Sequence, residues 1–277
     1  MDDRLDPDLI RANLKTKRIG RSVLVYEQTA STNDVAGQCA RGADSDGLVV
    51  FAEEQTAGRG RTGAAWLSRP GESLLFSFVL IDFKAGNELL SLACAVGVAE
   101  AIGQVGGHNA AIKWPNDVML DGRKIAGILV ETRSPRIEDR GQKTAPSSVL
   151  RPPSSTIHVV GIGVNCHQNP ESFPEEIRST ATSLDLIGGT TCQRVTVAKR
   201  VLTSLDHWLR VAERNKKQVI ETWSRLSTQL NQRVALSYNG KRFTGNCIGV
   251  DPESGLILQL DRGGIRMFDA AHTHTVR

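Results

Sequence analysis

The stretch Glu53-Glu54-Gln55-Thr56-Ala57-Gly58-Arg59-Gly60-Arg61-Thr62-Gly63 alternates glycines with two arginines directly after an apolar run, Leu48–Ala52. Glycine lets a backbone come close to a ligand. Successive N–H groups can then face one anion, and Arg59 and Arg61 add forked cationic donors suited to carboxylate or phosphate. The spacing lacks the closing Lys-Ser/Thr of a phosphate loop and does not match the dinucleotide fingerprint. Alone, a Gly-Arg-Gly-Arg turn reads as a solvated basic loop; its neighbours favour an anion site. Gln55 offers an amide for a neutral polar group, and Trp66 offers an apolar wall.

A second stretch, Lys113-Trp114-Pro115-Asn116-Asp117, packs a cation, a ring, a rigid turn and a carboxylate into consecutive positions. Trp114 reads as core. Lys113 and Asp117 are aimed at one end of a sheet, where Asp117 could orient a lysine or hold a phosphate-bound metal. A third stretch, Lys124-Ile125-Ala126-Gly127-Ile128-Leu129-Val130-Glu131, sets Lys124 at the entry of an apolar strand, with Gly127 leaving room for something flat or bulky. The bland alternative is a surface lysine. Gly161-Ile162-Gly163-Val164-Asn165 suggests close backbone approach, or a tightly packed central strand, with Asn165 placed for ligand contact. Ser31-Thr32-Asn33 reads as a helix cap, which is compatible with binding because a helix start presents free N–H groups. Such cationic, glycine-containing stretches suit a site that holds two anions together.

The elements that must carry these residues follow from periodicity and punctuation. Strands are expected at Val23–Tyr26, Leu48–Glu53, Leu74–Ile81, Ala111–Trp114, Val118–Leu120, Lys124–Thr132 and Ile157–Asn165. Helices are expected at Pro7–Lys15, Val35–Arg41, Asn87–Val105 (buried), Arg194–Leu209 and Val219–Leu226. Residues 134–155, rich in Pro, Ser, Arg and Lys, read as a long surface loop, mobile in part, between two hairpin strands. From Arg233 onward short strands alternate with turns, a small all-β unit. The boundary falls near Leu230, giving units 1–230 and 231–277.

Apolar content of 40% and charged content of 23% are ordinary globular values. A net charge of +4 is too mild for a dedicated nucleic-acid binder. The odd count of five cysteines without C-x-x-C spacing argues for free thiols in a reducing compartment and against structural zinc. His272 and His274, two apart on an expected strand, read as exposed strand residues ahead of a metal pair. The acidic N-terminus lacks a signal-peptide core, and no apolar run is expected to span a bilayer. A cytoplasmic protein is the expectation.

In their order, the Ser31-Thr32-Asn33 cluster, the Glu54–Gly63 loop, Lys113–Asp117, Lys124–Glu131 and Gly161–Asn165 resemble the motifs of biotin protein ligases of the type without an N-terminal DNA-binding domain. Gly249-Val250-Asp251 and Gly255–Leu258 resemble that family's C-terminal unit, so the likeness covers roughly Val23–Val276. The resemblance implies an α+β fold, a mixed sheet flanked by helices, with a small SH3-like β-barrel. It implies that ATP and biotin are joined as biotinyl-AMP, with Mg²⁺, and that biotin passes to a lysine of the biotin carboxyl carrier protein of acetyl-CoA carboxylase. By motif position, Ser31, Thr32, Asn33 and Gln55 would hold the ureido ring. Gly58, Arg59, Gly60 and Arg61 would cover carboxylate and phosphate. Lys124 would bind biotin's carboxylate and the adenylate, with Gly127 and Gly163 beside it. Lys113 would touch phosphate, Asp117 would place a metal or the acceptor lysine, Asn165 would lie near the nucleotide, and Trp66 would line the biotin tail. About thirty residues before Ser31 are too few for a helix-turn-helix module, so DNA and membrane are not expected as partners. A homodimer would use an edge strand such as Ile157–Val164. A lipoate or octanoate ligase shares the architecture but needs no polar head-group set, and a nucleic-acid module is weakened by 5% aromatic content.

Overall fold

Strand alternation decides how the larger sheet is covered. The computed structural model describes residues 3–133 and 156–275. The expected loop at Ser134–Ser155 lies outside the described residues. Seven strands are hydrogen-bonded in the order β1 (Ser22–Thr29), β2 (Leu48–Gln55), β3 (Ser73–Ile81), β7 (Ile157–Asn165), β6 (Arg123–Arg133), β5 (Asp117–Leu120) and β4 (Ala110–Lys113). β1 and β2 run parallel; the other pairs are antiparallel. β7 is therefore central, between β3 and β6. This corrects the expectation that Ile157–Val164 is a free edge for a dimer: the edges of this sheet are β1 and β4.

One face carries Phe51, Phe76, Phe78, Val160, Ile162 and Val164. It is covered by α3 (Asn87–Gly106), α6 (Arg194–Arg214) and α7 (Lys216–Leu226). α3 is long and apolar enough, by length and composition alone, to cross a bilayer, against the expectation that no run would be. Its composition has a simpler cause: α3 packs on the sheet on one side and on α6 and α7 on the other, and a helix buried all round is apolar all round. The start of α6 is anchored by Arg194, whose side chain is 3% exposed and pairs with Glu53 and Asp3, each at 2.7 Å.

The opposite face is covered only in part. Val50, Val79, Ile157 and Val159 pack under Ala36 of α2 (Thr32–Cys39) and Ala40 just after it. Farther along that face Ser77 pairs with Gly161 across β3 and β7, and Gly127 with Gly163 across β6 and β7. Small side chains leave bare floor there.

The remaining strands form a second sheet, antiparallel throughout, in the order β11 (Ile265–Phe268), β10 (Gly255–Leu260), β9 (Lys241–Asp251), β8 (Arg233–Tyr238), β12 (Thr273–Thr275). β11 and β12 are its two edges, so among the described residues the sheet is open and does not close into the barrel the resemblance implied. Its buried Leu236, Leu256, Leu258 and Phe268 join the same apolar cluster as α3 and α6. The amide of Ala270 also donates to Glu88 at the start of α3, at 2.7 Å.

Most elements fall within a few residues of expectation. α1 (Pro7–Arg11) ends short of Lys15, and two short helices, α4 (Glu175–Arg178) and α5 (Leu184–Gly188), had no expectation.

Candidate functional site

The bare floor opens into a cavity of about 320 Å³. Ser31, Thr32 and Asn33 at the start of α2 stand at one end, and the loop Arg59–Trp66 forms one wall. Pro115, Asn116, Asp117 and Lys124 form the other wall, and Thr273 and His274 of β12 reach the rim.

At the polar end, Gln55 Oε1 accepts from the Thr32 amide at 2.7 Å and from its hydroxyl at 3.0 Å. The hydroxyl of Ser77 bonds Thr32 Oγ1 at 2.7 Å and Asn33 Oδ1 at 2.6 Å. Ser31 occupies the cap position of α2, yet its side chain makes no cap bond; Gln55 takes the free amide. Among the described residues, Asn33 Nδ2 and Trp66 Nε1 are buried donors without a partner. Leaving such a donor unmet costs about 1–3 kcal/mol, so an acceptor on a ligand is favoured at either.

The floor explains its glycines. A Cβ on Gly163 would lie 2.5 Å from Cε2 of Trp66, and one on Gly161 would collide with Asn33 Oδ1. The indole therefore lies flat on the sheet. Lys124 Nζ sits 5.8 Å from the ring centroid and pairs with Asp117 at 2.5 Å. A cation near a ring face is attracted to it, so Lys124 is held between indole and carboxylate.

The two arginines point to different partners. Arg61 reaches Asn116 Oδ1 at 3.4 Å and the carbonyl of Thr273 at 3.2 Å. Burial lowers its guanidinium from the ordinary value, opposed by the charges of Glu88, Asp117 and Asp269. Arg59 instead forks onto Asp34, both bonds 2.7 Å, with Glu131 at 3.5 Å. Hydrogen bonds from Arg59 hold the Asp34 carboxyl below its ordinary range, against some burial. Arg133 also meets both carboxylates. The loop is thus tied to α2 through Arg59, while Arg61 spans the cavity to the second sheet.

Of the expected residues, Ser31, Thr32, Asn33, Gln55, Arg59, Gly60, Arg61, Trp66, Asp117, Lys124, Gly127 and Gly163 line one cavity. Gly58, Lys113 and Asn165 do not. The Gly58 carbonyl accepts from the Trp66 amide at 2.9 Å, which closes the loop on itself. Lys113 is the cross-strand partner of Asp117 and lies outside the lining. The Asn165 side chain donates to the carbonyl of Thr182 at 2.8 Å and is buried, which commits it to the protein. Residues without a site expectation also take part: Ser77, Pro115, Thr273 and His274. Ser77 carried a signal, a hydroxyl inside an otherwise apolar strand. His272 precedes β12 and pairs with Asp269 at 2.7 Å, apart from the cavity-lining His274.

Residues 25–144 match the model of the biotin/lipoate A/B protein ligase family. The chain is similar to the biotin–[acetyl-CoA-carboxylase] ligase of Mycobacterium tuberculosis, 32% identical, covering 95% of this chain and 93% of the relative. It is also similar to the bifunctional ligase/repressor BirA of Bacillus subtilis, 30% identical, covering 96% of this chain and 78% of the relative. The biotin protein ligase of Aquifex aeolicus, solved with biotin and ATP, superposes with a TM-score of 0.74 at 26% identity, covering 93% of this chain and 99% of that one.

Proposed function

The chain belongs to the biotin/lipoate A/B protein ligase family, and we propose that its cavity makes biotinyl-AMP from biotin and ATP and passes biotin to a carrier lysine. The observation that carries this reading is one cavity with two chemically distinct ends. Asn33 presents an unmet buried donor at one end, and Lys124 and Arg61 stand at the other.

In this reading, the ureido head lies against Ser31, Thr32, Asn33 and Gln55, its carbonyl taking the Asn33 donor. The tail runs over Trp66. Lys124 already pairs with one carboxylate, Asp117, and can exchange it for biotin's. Attack of that carboxylate on the α-phosphate, with pyrophosphate leaving as the α–β phosphoanhydride bond breaks, brings two anions together and builds negative charge on phosphate oxygens. Lys124 and Arg61 stabilise that charge more than either ground state, the condition for catalysis. Arg59, fixed by Asp34, holds the loop that keeps water from the mixed anhydride. Lys113, across the strand pair from Asp117, would reach phosphate from outside the lining; Asn165 is assigned to securing the end of β7. Asp117 supplies the carboxylate of the lining, which fits Mg²⁺ arriving on the nucleotide, held by one carboxylate and phosphates. Magnesium would neutralise phosphate charge.

The reading makes the carboxyl carrier protein of acetyl-CoA carboxylase the acceptor. It treats residues 231–277 as a separate unit capping the cavity, and the five free cysteines suit a cytoplasmic setting. The test is incubation with ATP, Mg²⁺, biotin and a carrier domain. Biotinylated carrier is expected, and a folded protein that leaves the carrier unmodified overturns the reading. A melting shift with lipoate but not biotin would transfer the assignment to the lipoate branch.

A further inference from the structure

Away from the cavity, the segment just after β7, the first turn of α5, the stretch before α6 and the N-terminal segment bring unlike metal-ligand types together. A ring nitrogen of His167, a carboxylate oxygen of Asp185 and Sγ of Cys192 all lie within 4.8 Å of one another. We propose that His167, Asp185 and Cys192 bind a divalent transition ion of the zinc class.

The supporting geometry is the outer shell. His167 Nε2 is 2.8 Å from Asp3 Oδ2, and Nδ1 is 2.7 Å from Asp185 Oδ2. A neutral imidazole has one proton to donate. If it goes to Asp3, Nδ1 is left as a lone pair facing the Asp185 oxygen, a clash that a cation resolves. Metal-bound histidine characteristically donates its other N–H to a carboxylate. Asp3 is itself fixed by Arg194, through the backbone amide at 2.9 Å and Nε at 2.7 Å. Asp185 Oδ1 accepts from the Cys192 amide at 2.8 Å, which orients Oδ2 inward. Zinc bonds of about 2.0–2.3 Å hold tetrahedral ligands about 3.3–3.8 Å apart, so small side-chain movements close the set. A mixed N/O/S set selects zinc over magnesium or calcium. None of these residues lines the cavity, so the ion would be structural, clamping the N-terminal segment to β7 and α6. Short-range spacing could not mark this site, because its ligands come from separate stretches of the chain.

The probe is Co²⁺, titrated into reduced, tag-free, metal-stripped full-length protein, with Zn²⁺ as competitor. One Co²⁺ per chain is expected, with a thiolate-to-cobalt absorption band that Zn²⁺ abolishes and Cys192→Ser removes. Asp3→Asn keeps the shape of the outer shell and is expected to weaken Co²⁺ binding about 10–100-fold. It decides the matter if Cys192→Ser does not fold. The proposal is overturned by three results: absence of saturable Co²⁺ binding, a thiolate band that survives Cys192→Ser, or equal affinity in wild type and Asp3→Asn.

Discussion

Replacing Gly163 by alanine tests how the cavity floor is built. The added carbon would sit 2.5 Å from Cε2 and 2.6 Å from Cζ2 of Trp66. Ordinary carbon–carbon contact is about 3.5–4.0 Å, so the indole must retreat by about 1 Å. β7 cannot yield, because β3 and β6 hold it on both sides. The ring's free direction is into the cavity. Overpacking of this kind costs about 1–3 kcal/mol, and the displaced ring also leaves its place beside Lys124. Biotin affinity should fall about 10–100-fold, equivalent to about 1.4–2.8 kcal/mol, measured by calorimetry. The control is Trp66→Ala, which removes the obstacle. Residues in contact couple non-additively, so Gly163→Ala should lower the melting temperature in wild type and leave it unchanged in the Trp66→Ala background. Unaltered biotin binding in Gly163→Ala, or an equal stability loss with and without the indole, would refute the packing reasoning.

Ser77→Ala removes the hydroxyl shared by Thr32 and Asn33. It should cost about 1–3 kcal/mol in denaturant stability and weaken biotin while sparing ATP, as separate titrations would show. Glu53→Ala leaves the Arg194 charge buried with Asp3 as its remaining carboxylate; chemical denaturation should reveal a loss of about 3–5 kcal/mol. Burial, aided by the Arg18 charge, holds the His158 imidazole below its ordinary 6.5. The unfolded chain therefore takes up this proton more readily, and stability should rise with pH from the lowered native value up to 6.5 and then level off. Denaturation midpoints across that window should flatten in His158→Gln.

The sheet, the long helices and most of the cavity lining were legible in the sequence because each rests on local pattern. An apolar run rich in Leu, Phe and Val marked the strand Leu74–Ile81, and Gly161 and Gly163 marked a close backbone approach in Ile157–Asn165. What was not legible depended on pairing partners far along the chain. β7 was read as an edge because its place between β3 and β6 is a long-range fact. The barrel remained open because β11 and β12 do not meet. The bond from Asn165 to Thr182 is likewise invisible to spacing. The apolar length of α3 reflects burial on both sides, which only packing shows.

The most direct test needs no carrier protein: biotin-dependent exchange of labelled pyrophosphate into ATP. The wild-type chain should exchange label only when biotin is present. Lys124→Ala, folded by circular dichroism, should lose at least about 100-fold, as expected for removing a principal transition-state contact. Exchange that ignores biotin, or that persists undiminished in Lys124→Ala, would contradict a cavity that joins these two anions.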